Sequence, residues 1–121
     1  MGNRASIVFF DQHRVSPTVY LHWHGDSVPD WLEKLKELMK CRRGDAAYAA
    51  ARFVGICHAE IEGNLSLGIY SNNLTPGRVA DRQVMEAESP GNAGIVVVDT
   101  KDFRWTAHGG YLADRKGGDH D

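Results

Sequence analysis

Five short stretches of the chain are rich in β-branched, aromatic and aliphatic residues, and each of them predicts a β-strand. The first stretch, Ala5–Phe10, carries apolar side chains on both faces, which is typical of a central strand covered on both sides. The other four predicted strands are residues 18–24, residues 65–70, Gly94–Asp99 and residues 103–108. Short polar connections indicate that the first two strands pair as a hairpin, and that the last two do the same.

Polar and apolar residues alternate in the second predicted strand, so its side chains project to two opposite faces. We expect one face to lie on the core, with the Trp23 indole as its anchor. The residues of that face are Val19, Leu21 and Trp23. The residues of the opposite face are Tyr20, His22 and His24.

Two amphipathic helices are predicted between the second and third strands. In the first, Ser27 and Asp30 form a predicted capping box, and apolar side chains recur behind it at helical spacing. Those apolar residues are Trp31, Leu32, Leu35, Leu38 and Met39. The second helix is expected to begin after a capping Asp45 and to run over Ala46–Glu60.

The resulting order is strand, strand, helix, helix, strand, a loop or short helix, strand and strand. This order predicts an α+β fold with a mostly antiparallel sheet of about five strands and both helices packed on one face. The loop or short helix occupies residues 78–92, whose apolar positions follow no single period. We expect one domain over residues 1–113 and a flexible C-terminal tail over residues 114–121, which are charged and rich in glycine.

Composition agrees with a compact globular domain, because 42% of the 121 residues are hydrophobic and 25% are charged. A chain of this length buries enough surface to fold without a metal or a disulfide. The 14 Lys and Arg residues are outnumbered by 16 Asp and Glu residues, which gives a formal net charge of −2. Proteins that rely on phosphate contacts usually carry a positive excess, so nucleic acid is a disfavoured partner.

The cysteines and the apolar runs indicate where the protein is located. Cys41 and Cys57 form no Cys-x-x-Cys motif, and we interpret both as packed thiols in a reducing compartment. No signal-type segment precedes the first strand. No apolar run approaches the ~20 residues of a membrane-spanning helix. The sequence therefore predicts a soluble, cytoplasmic protein that does not use a membrane.

Histidines supply the candidate metal ligands. His22 and His24 lie two positions apart on one predicted strand and project from the same face, as metal ligands often do. His108, on the outer face of the last strand, would be available as a third ligand. This pattern suggests zinc or another transition metal, and at its strongest a metal-dependent hydrolase. The alternative is a protein without a cofactor, whose histidines are half-exposed strand residues with local hydrogen bonds.

Motifs of catalysis are missing from the sequence. There is no Gly-x-Ser-x-Gly, no glycine-rich phosphate loop and no His-Glu-x-x-His helix. Cys57 falls on the apolar face of the second helix, where a buried thiol is normally inert, and His58 projects about 100° away from it. We therefore assign no catalytic residue and favour a protein that is not an enzyme.

The leading candidate for a contact surface is the outer face of the sheet. Exposed tyrosine, histidine and arginine side chains have the composition of an interface centre. The residues of this candidate surface are Tyr20, His22, His24, Arg104 and His108. The alternative is that residues 78–92 cover this face within the same chain.

A second candidate surface is the basic end of the first helix, between Lys34 and Arg43. Its residues are Lys36, Lys40, Arg42 and Arg43. Such a patch suits an acidic partner or a phosphate backbone, which would make the chain a nucleic-acid-binding module. The alternative is a solvated helix face, because Glu33 and Glu37 lie three positions before lysines of the same helix.

Three segments resemble small uncharacterised proteins encoded by phages and prophages of proteobacteria. They are VYLHWHG at residues 19–25, GDAAYAAARF at residues 44–53 and GNLSLGIY at residues 63–70. The size of the chain and its lack of a catalytic motif are similar to those of anti-defence proteins, anti-CRISPR inhibitors among them. This resemblance implies a stoichiometric binder of a host nuclease or surveillance complex in the cytoplasm of a bacterial host. No site residue comes with it.

We therefore expect a small, phage-derived, non-enzymatic interaction protein that binds and inhibits a host protein or defence complex. The metal-dependent hydrolase and the nucleic-acid-binding module are its alternatives. A homodimer is also consistent with the sequence, because an exposed strand edge or aromatic face pairs readily with its own copy.

Overall fold

A computed structural model of the chain describes residues 3–61 and 66–114. Its five strands are β1 (Ala5–Phe10), β2 (Thr18–Leu21), β3 (Leu67–Tyr70), β4 (Gly94–Asp99) and β5 (Arg104–His108). The helices within these ranges are α1 (Val28–Leu38), α2 (Ala46–Glu60) and α3 (Arg82–Ala87). The predicted tail, residues 114–121, lies outside the described residues except for Asp114.

All five strands form one sheet in the order β3-β2-β1-β4-β5. β1 and β4 run parallel at its centre, and every other neighbouring pair is antiparallel. The register places Ile7 between Val19 of β2 and Val96 of β4. The predicted α+β class and the mostly antiparallel sheet are confirmed, although the sheet is mixed because of its central parallel pair.

α1 and α2 contact each other on one face of the sheet, as predicted, and enclose the larger part of the core. Alternation along the strands directs one set of side chains to these helices. From the sheet, Ile7, Phe9 and Leu21 are fully buried there. The Phe53 ring of α2 meets the Phe9 ring with 5.5 Å between centroids. β1 is therefore a central strand, as its continuous apolar run indicates.

The opposite face of the central strands is covered by residues 74–85, which include most of α3. Met85 and Val79 are buried there against Val8, Ile95 and Val97 of the two parallel strands. Residues 78–92 thus contain a short helix with a 3-10 turn before it. The alternative that this segment covers the outer face holds over β1 and β4, and α3 also contacts β5.

Two carboxylates fix the beginning of α2. The Asp45 carboxylate accepts a hydrogen bond from the Tyr48 amide at 3.1 Å, which confirms the predicted cap. The Asp11 carboxylate, at the end of β1, accepts another from the Ala46 amide at 2.8 Å. These two bonds satisfy amides that have no partner within the helix, and they tie α2 to the sheet.

α1 begins directly after Ser27, as predicted, but it lacks the predicted capping bond and ends at Leu38, before most of the predicted basic end. Ser27 lies in a 3-10 turn, at φ −87° and ψ −11°, and its side chain makes no capping bond. A capping side chain needs extended backbone, so the predicted capping box was wrong. Leu38, the last helical residue, is 61% exposed although it was placed on the apolar stripe. No helix in the described ranges is long and apolar enough to cross a membrane.

Candidate interaction surface

The second strand ends three residues earlier than its alternating pattern predicts. β2 stops at Leu21, and His22 and Trp23 lie in a bend. The chain turns there because the Gly25 amide donates a hydrogen bond to the Asn3 carbonyl at 2.8 Å. A Cβ atom at Gly25 would lie only 2.6 Å from the Ala93 Cβ, so this close approach requires glycine.

Trp23 consequently lies at the surface, with 55% of its area exposed, and the prediction that it anchors the core was wrong. Its indole is held by the neighbouring His22 imidazole, edge to face, with ring centroids 4.4 Å apart. The His22 Nδ1 atom in turn lies 2.8 Å from the Tyr20 hydroxyl, within hydrogen-bond distance. We call these three residues, Tyr20, His22 and Trp23, the aromatic corner.

His24 takes a different direction from His22. Its imidazole stacks on the Trp31 ring of α1, with 5.8 Å between centroids and 29° between planes. The His24 Nδ1 atom lies 3.5 Å from the Ser66 hydroxyl, before β3. The expectation that His22 and His24 share one strand face was therefore wrong, because the strand ends before both of them and alternation no longer fixes their directions.

Arg104 and His108 lie on β5, at the far side of the sheet from the aromatic corner. β1 and β4 separate β5 from β2, which places the two strands roughly 14 Å apart. His108 lies near Arg82 and Glu86 of α3, and burial is the main reason that its pKa is lowered below 6.5. The structure thus brings Tyr20 and His22 together and separates them from the other members of the predicted surface.

Metal ligation was the second hypothesis for the histidines. Residues 3–61 and 66–114 contain no group of three or more His, Cys, Asp or Glu side chains arranged to hold a metal ion. Each candidate ligand has a different environment. His22 lies against the Tyr20 hydroxyl, and His24 stacks on the Trp31 ring. His108 lies near Arg82 and Glu86 of α3. The geometry therefore offers no reason to prefer the metal hypothesis, which stays a prediction.

The second predicted surface lies largely beyond the helix, because α1 ends at Leu38. Lysines and arginines of this region form ion pairs on the surface. These pairs are Lys34 with Glu60 at 3.0 Å, Lys40 with Glu37 at 2.9 Å, and Arg42 with Asp45 at 3.1 Å. Arg42 also lies over the Tyr48 ring, 3.9 Å from its centroid. Much of the positive charge is therefore balanced locally, which leaves Lys36 and Arg43 without a salt bridge to any described residue.

Arg43 and Arg104 belong to different predicted surfaces, yet both lie near the carboxyl-terminal ends of the central strands. Arg43 lines a cavity of about 540 Å³ together with Lys101. Arg104 lines a neighbouring cavity of about 440 Å³, and Asp99 borders both cavities. Ligands often bind at such strand ends, but the mixed charges here favour no single ligand class.

The strand β3 adds exposed apolar residues that the sequence reasoning left out of both surfaces. Ile69 is 58% exposed and Tyr70 is 46% exposed, although β3 pairs with the well-buried β2. The Tyr70 hydroxyl lies 3.3 Å from the buried Ser6 hydroxyl, which orients the ring over the sheet. The absence of charged side chains from residues 63–77 is the sequence signal that would have identified it.

The aromatic corner is a contact surface whose side chains hold one another in place. The aromatic corner combines a large apolar ring with hydroxyl and imidazole groups, and each ring is held by the next. Comparisons of the chain with protein-family models, with curated proteins and with solved structures found no match.

Proposed function

We propose that this chain is a non-enzymatic interaction protein that binds a protein of its bacterial host through the aromatic corner and inhibits it. The observation that carries the proposal is the exposed Trp23 indole, held in one orientation by the His22 imidazole. Tryptophan is enriched at the centres of protein interfaces, where a large ring fills a pocket of the partner.

Preorganisation makes this tryptophan an effective anchor. A side chain that is already ordered loses little conformational entropy on binding, whereas a free one costs about 0.5–1.5 kcal/mol. The chain of contacts from Tyr20 through His22 to Trp23 supplies that order before any partner arrives. Tryptophan and tyrosine are also the residue types that contribute most to interface energies.

The nature of the partner is proposed from the resemblance of three chain segments to phage-encoded proteins. Such a resemblance supports a defence protein or complex of the host as the target. Inhibition would then be steric, since the corner presents contact groups and no assigned nucleophile. A protein partner with a pocket for one indole ring fits this surface.

The test is affinity capture from a lysate of the bacterial host, with the wild-type chain and the Trp23→Ala variant as baits. We expect the wild type to retain a defined protein and Trp23→Ala to bind it with a dissociation constant at least ~30-fold higher, equivalent to about 2 kcal/mol. Tyr48→Ala is the matched control, because Tyr48 is an exposed aromatic residue on α2. Equal capture by all three proteins would refute the assignment of the corner.

The two alternative functions make different predictions. A metal-dependent hydrolase that uses His22 would retain a stoichiometric metal through purification, which elemental analysis detects. A nucleic-acid-binding module would bind DNA or RNA with an affinity that falls steeply as salt increases, and Lys36→Glu with Arg43→Glu would abolish that binding. Neither outcome is expected from a protein-binding corner.

A further inference from the structure

β3 forms one end of the sheet, and half of its backbone groups point away from β2. The His22 amide donates to the Ser66 carbonyl at 3.0 Å, which fixes the phase of the antiparallel ladder. Hydrogen-bonded pairs alternate along such a ladder, so Gly68 and Tyr70 also bond to β2. The amides and carbonyls of Leu67 and Ile69 therefore face outward, and no described strand pairs with them.

Neither a charged residue nor a proline within β3 protects this open edge. Residues 63–77 contain no Asp, Glu, Lys, Arg or His, in a chain where a quarter of the residues are charged. Proteins normally guard an exposed strand edge with lysine, proline or a bulge, because an unguarded edge pairs with other strands. Instead, Ile69 and Tyr70 are both about half exposed here.

We propose that β3 pairs antiparallel with β3 of a second copy of this chain, about a two-fold axis at Gly68. This arrangement places Leu67 of one copy opposite Ile69 of the other, and the outward amides and carbonyls of both residues bond to each other. The two sheets then continue into one. Each exposed Ile69 is covered by an apolar neighbour, and no like charges meet across the interface.

The strand geometry favours Gly68 as the position of the two-fold axis. The two Gly68 residues would form a non-hydrogen-bonded pair, in which Cα atoms approach to about 4.5 Å. An axis at Ile69 would instead require Ser71, which lies beyond the end of the strand. The axis at Gly68 uses all the outward backbone groups of Leu67 and Ile69 and none outside β3.

A second copy is a better occupant than a strand of another protein, because the segment is complementary to itself. A closed two-fold pairing also stops at two copies, since each chain uses its single β3 edge. The dimer would carry two aromatic corners and would bind a clustered target with increased avidity. This inference stands independently of the proposed partner of the corner.

Disulfide trapping tests both the pairing and its register. Gly68→Cys is made in a Cys41→Ser background, because Cys41 is exposed whereas Cys57 is buried. A Cβ atom at Gly68 meets no other atom within 4 Å, so the substitution fits. We expect rapid oxidation to a covalent dimer, since the Cα separation suits a disulfide. The matched control is Thr106→Cys on β5, the strand at the other end of the sheet, which should stay monomeric under the same conditions.

Sedimentation of the protein without engineered cysteines provides the second measurement. We expect the wild type to sediment as a dimer and Ile69→Lys to raise the dissociation constant about tenfold or more, because two lysines would lie at the pairing edge. Leu38→Lys, an equally exposed position on α1, should leave the dimer unchanged. A monomeric wild type, an unaffected Ile69→Lys variant or equal trapping at Thr106 would each overturn the proposal.

The β3 pairing and the proposed function of the aromatic corner can be refuted independently of each other. Loss of dimerisation in Ile69→Lys with retained capture of a host protein would show that the corner works without the dimer. A dimer that captures no host protein would leave the β3 pairing in place and remove the proposed function.

Discussion

At the scale of the residue, the two cysteines occupy opposite environments. Cys57 is fully buried on α2, and burial raises the pKa of its thiol to about 12. Cys41 is exposed in the turn after α1, so the expectation that both thiols are packed was right only for Cys57. Composition indicated a reduced pair, but burial depends on where α1 ends, which the sequence pattern did not locate.

We predict that one thiol per chain reacts readily with Ellman's reagent at pH 8 in the folded protein. The thiolate is the reacting form, and because burial raises the pKa of Cys57 to about 12, this residue stays a thiol at pH 8. Denaturant should release the second thiol. The Cys41→Ser variant should show no fast phase, and a fast phase in that variant would mean that the α2 core opens readily.

Trp23 shows at the same scale why the candidate site was only partly predictable. Alternation from Val19 onward correctly placed Leu21 in the core and Tyr20 on the other face. It failed two residues later, because the end of β2 is set by contacts with Asn3 and Ala93, far away in sequence. Local pattern therefore identified the residue types of the corner and missed its most exposed member.

At the scale of the element, the end of a helix or strand was predictable where the interactions that set it are local in sequence. α2 begins and ends as predicted, because the Asp45 cap and the spacing of its buried alanines are local features. α1 begins at Val28, as predicted, but the 3-10 turn before it leaves Ser27 without the predicted capping bond. α3 is only six residues long and takes its apolar contacts from β1 and β4, so its own sequence shows no clear period.

One glycine in the 3-10 turn after β2 and one inside α2 are expected to respond in opposite ways to replacement by alanine. Gly25→Ala should destabilise the protein by about 2 kcal/mol or more, because the new methyl group would overlap the Ala93 Cβ and the Asn3 carbonyl. Gly55→Ala should stabilise it by about 0.5–1 kcal/mol, since the Cβ meets nothing and alanine favours the helix. Urea unfolding followed by circular dichroism measures both. Equal effects of the same sign would show that the turn at Gly25 is less crowded than described.

At the scale of the whole molecule, two titrating groups make stability dependent on pH. They are Asp11, which follows β1, and His108, at the end of β5. Burial lowers the pKa of His108 below 6.5, with Glu86 opposing and Arg82 assisting the shift. For Asp11, burial acts to raise the pKa, but hydrogen bonds from the Ala46, His13 and Arg14 amides outweigh it and lower the pKa below 3.8. Both groups therefore bind protons more weakly in the folded state than in the unfolded state.

We predict that the free energy of unfolding falls in two steps on acidification. The unfolded chain binds more protons wherever a folded pKa is depressed, so stability decreases as pH falls below about 6.5 for His108 and below about 3.8 for Asp11. Denaturant titrations across this pH range measure it. His108→Gln should remove the upper step and Asp11→Asn the lower one, and an unchanged profile in either variant would contradict the assignment.

The layers of the fold were predictable because hydrophobic periodicity reports which faces are buried. The parallel contact between β1 and β4 was not, because strand order depends on pairings between distant segments that no local period encodes. For the same reason the outer face was predicted as one continuous surface, whereas α3 divides it into the aromatic corner and the β5 side.

The central position of β1 also determines when a newly made chain can fold. β1 leaves the ribosome well before its parallel neighbour β4, because β2, β3 and the helices α1, α2 and α3 separate the two strands in the sequence. Until then Ile7 and Phe9 have no complete core to enter, and contacts this distant in sequence form slowly. Nascent chains of this protein should therefore depend on chaperones that hold extended apolar segments, and β1 is the segment that they would hold.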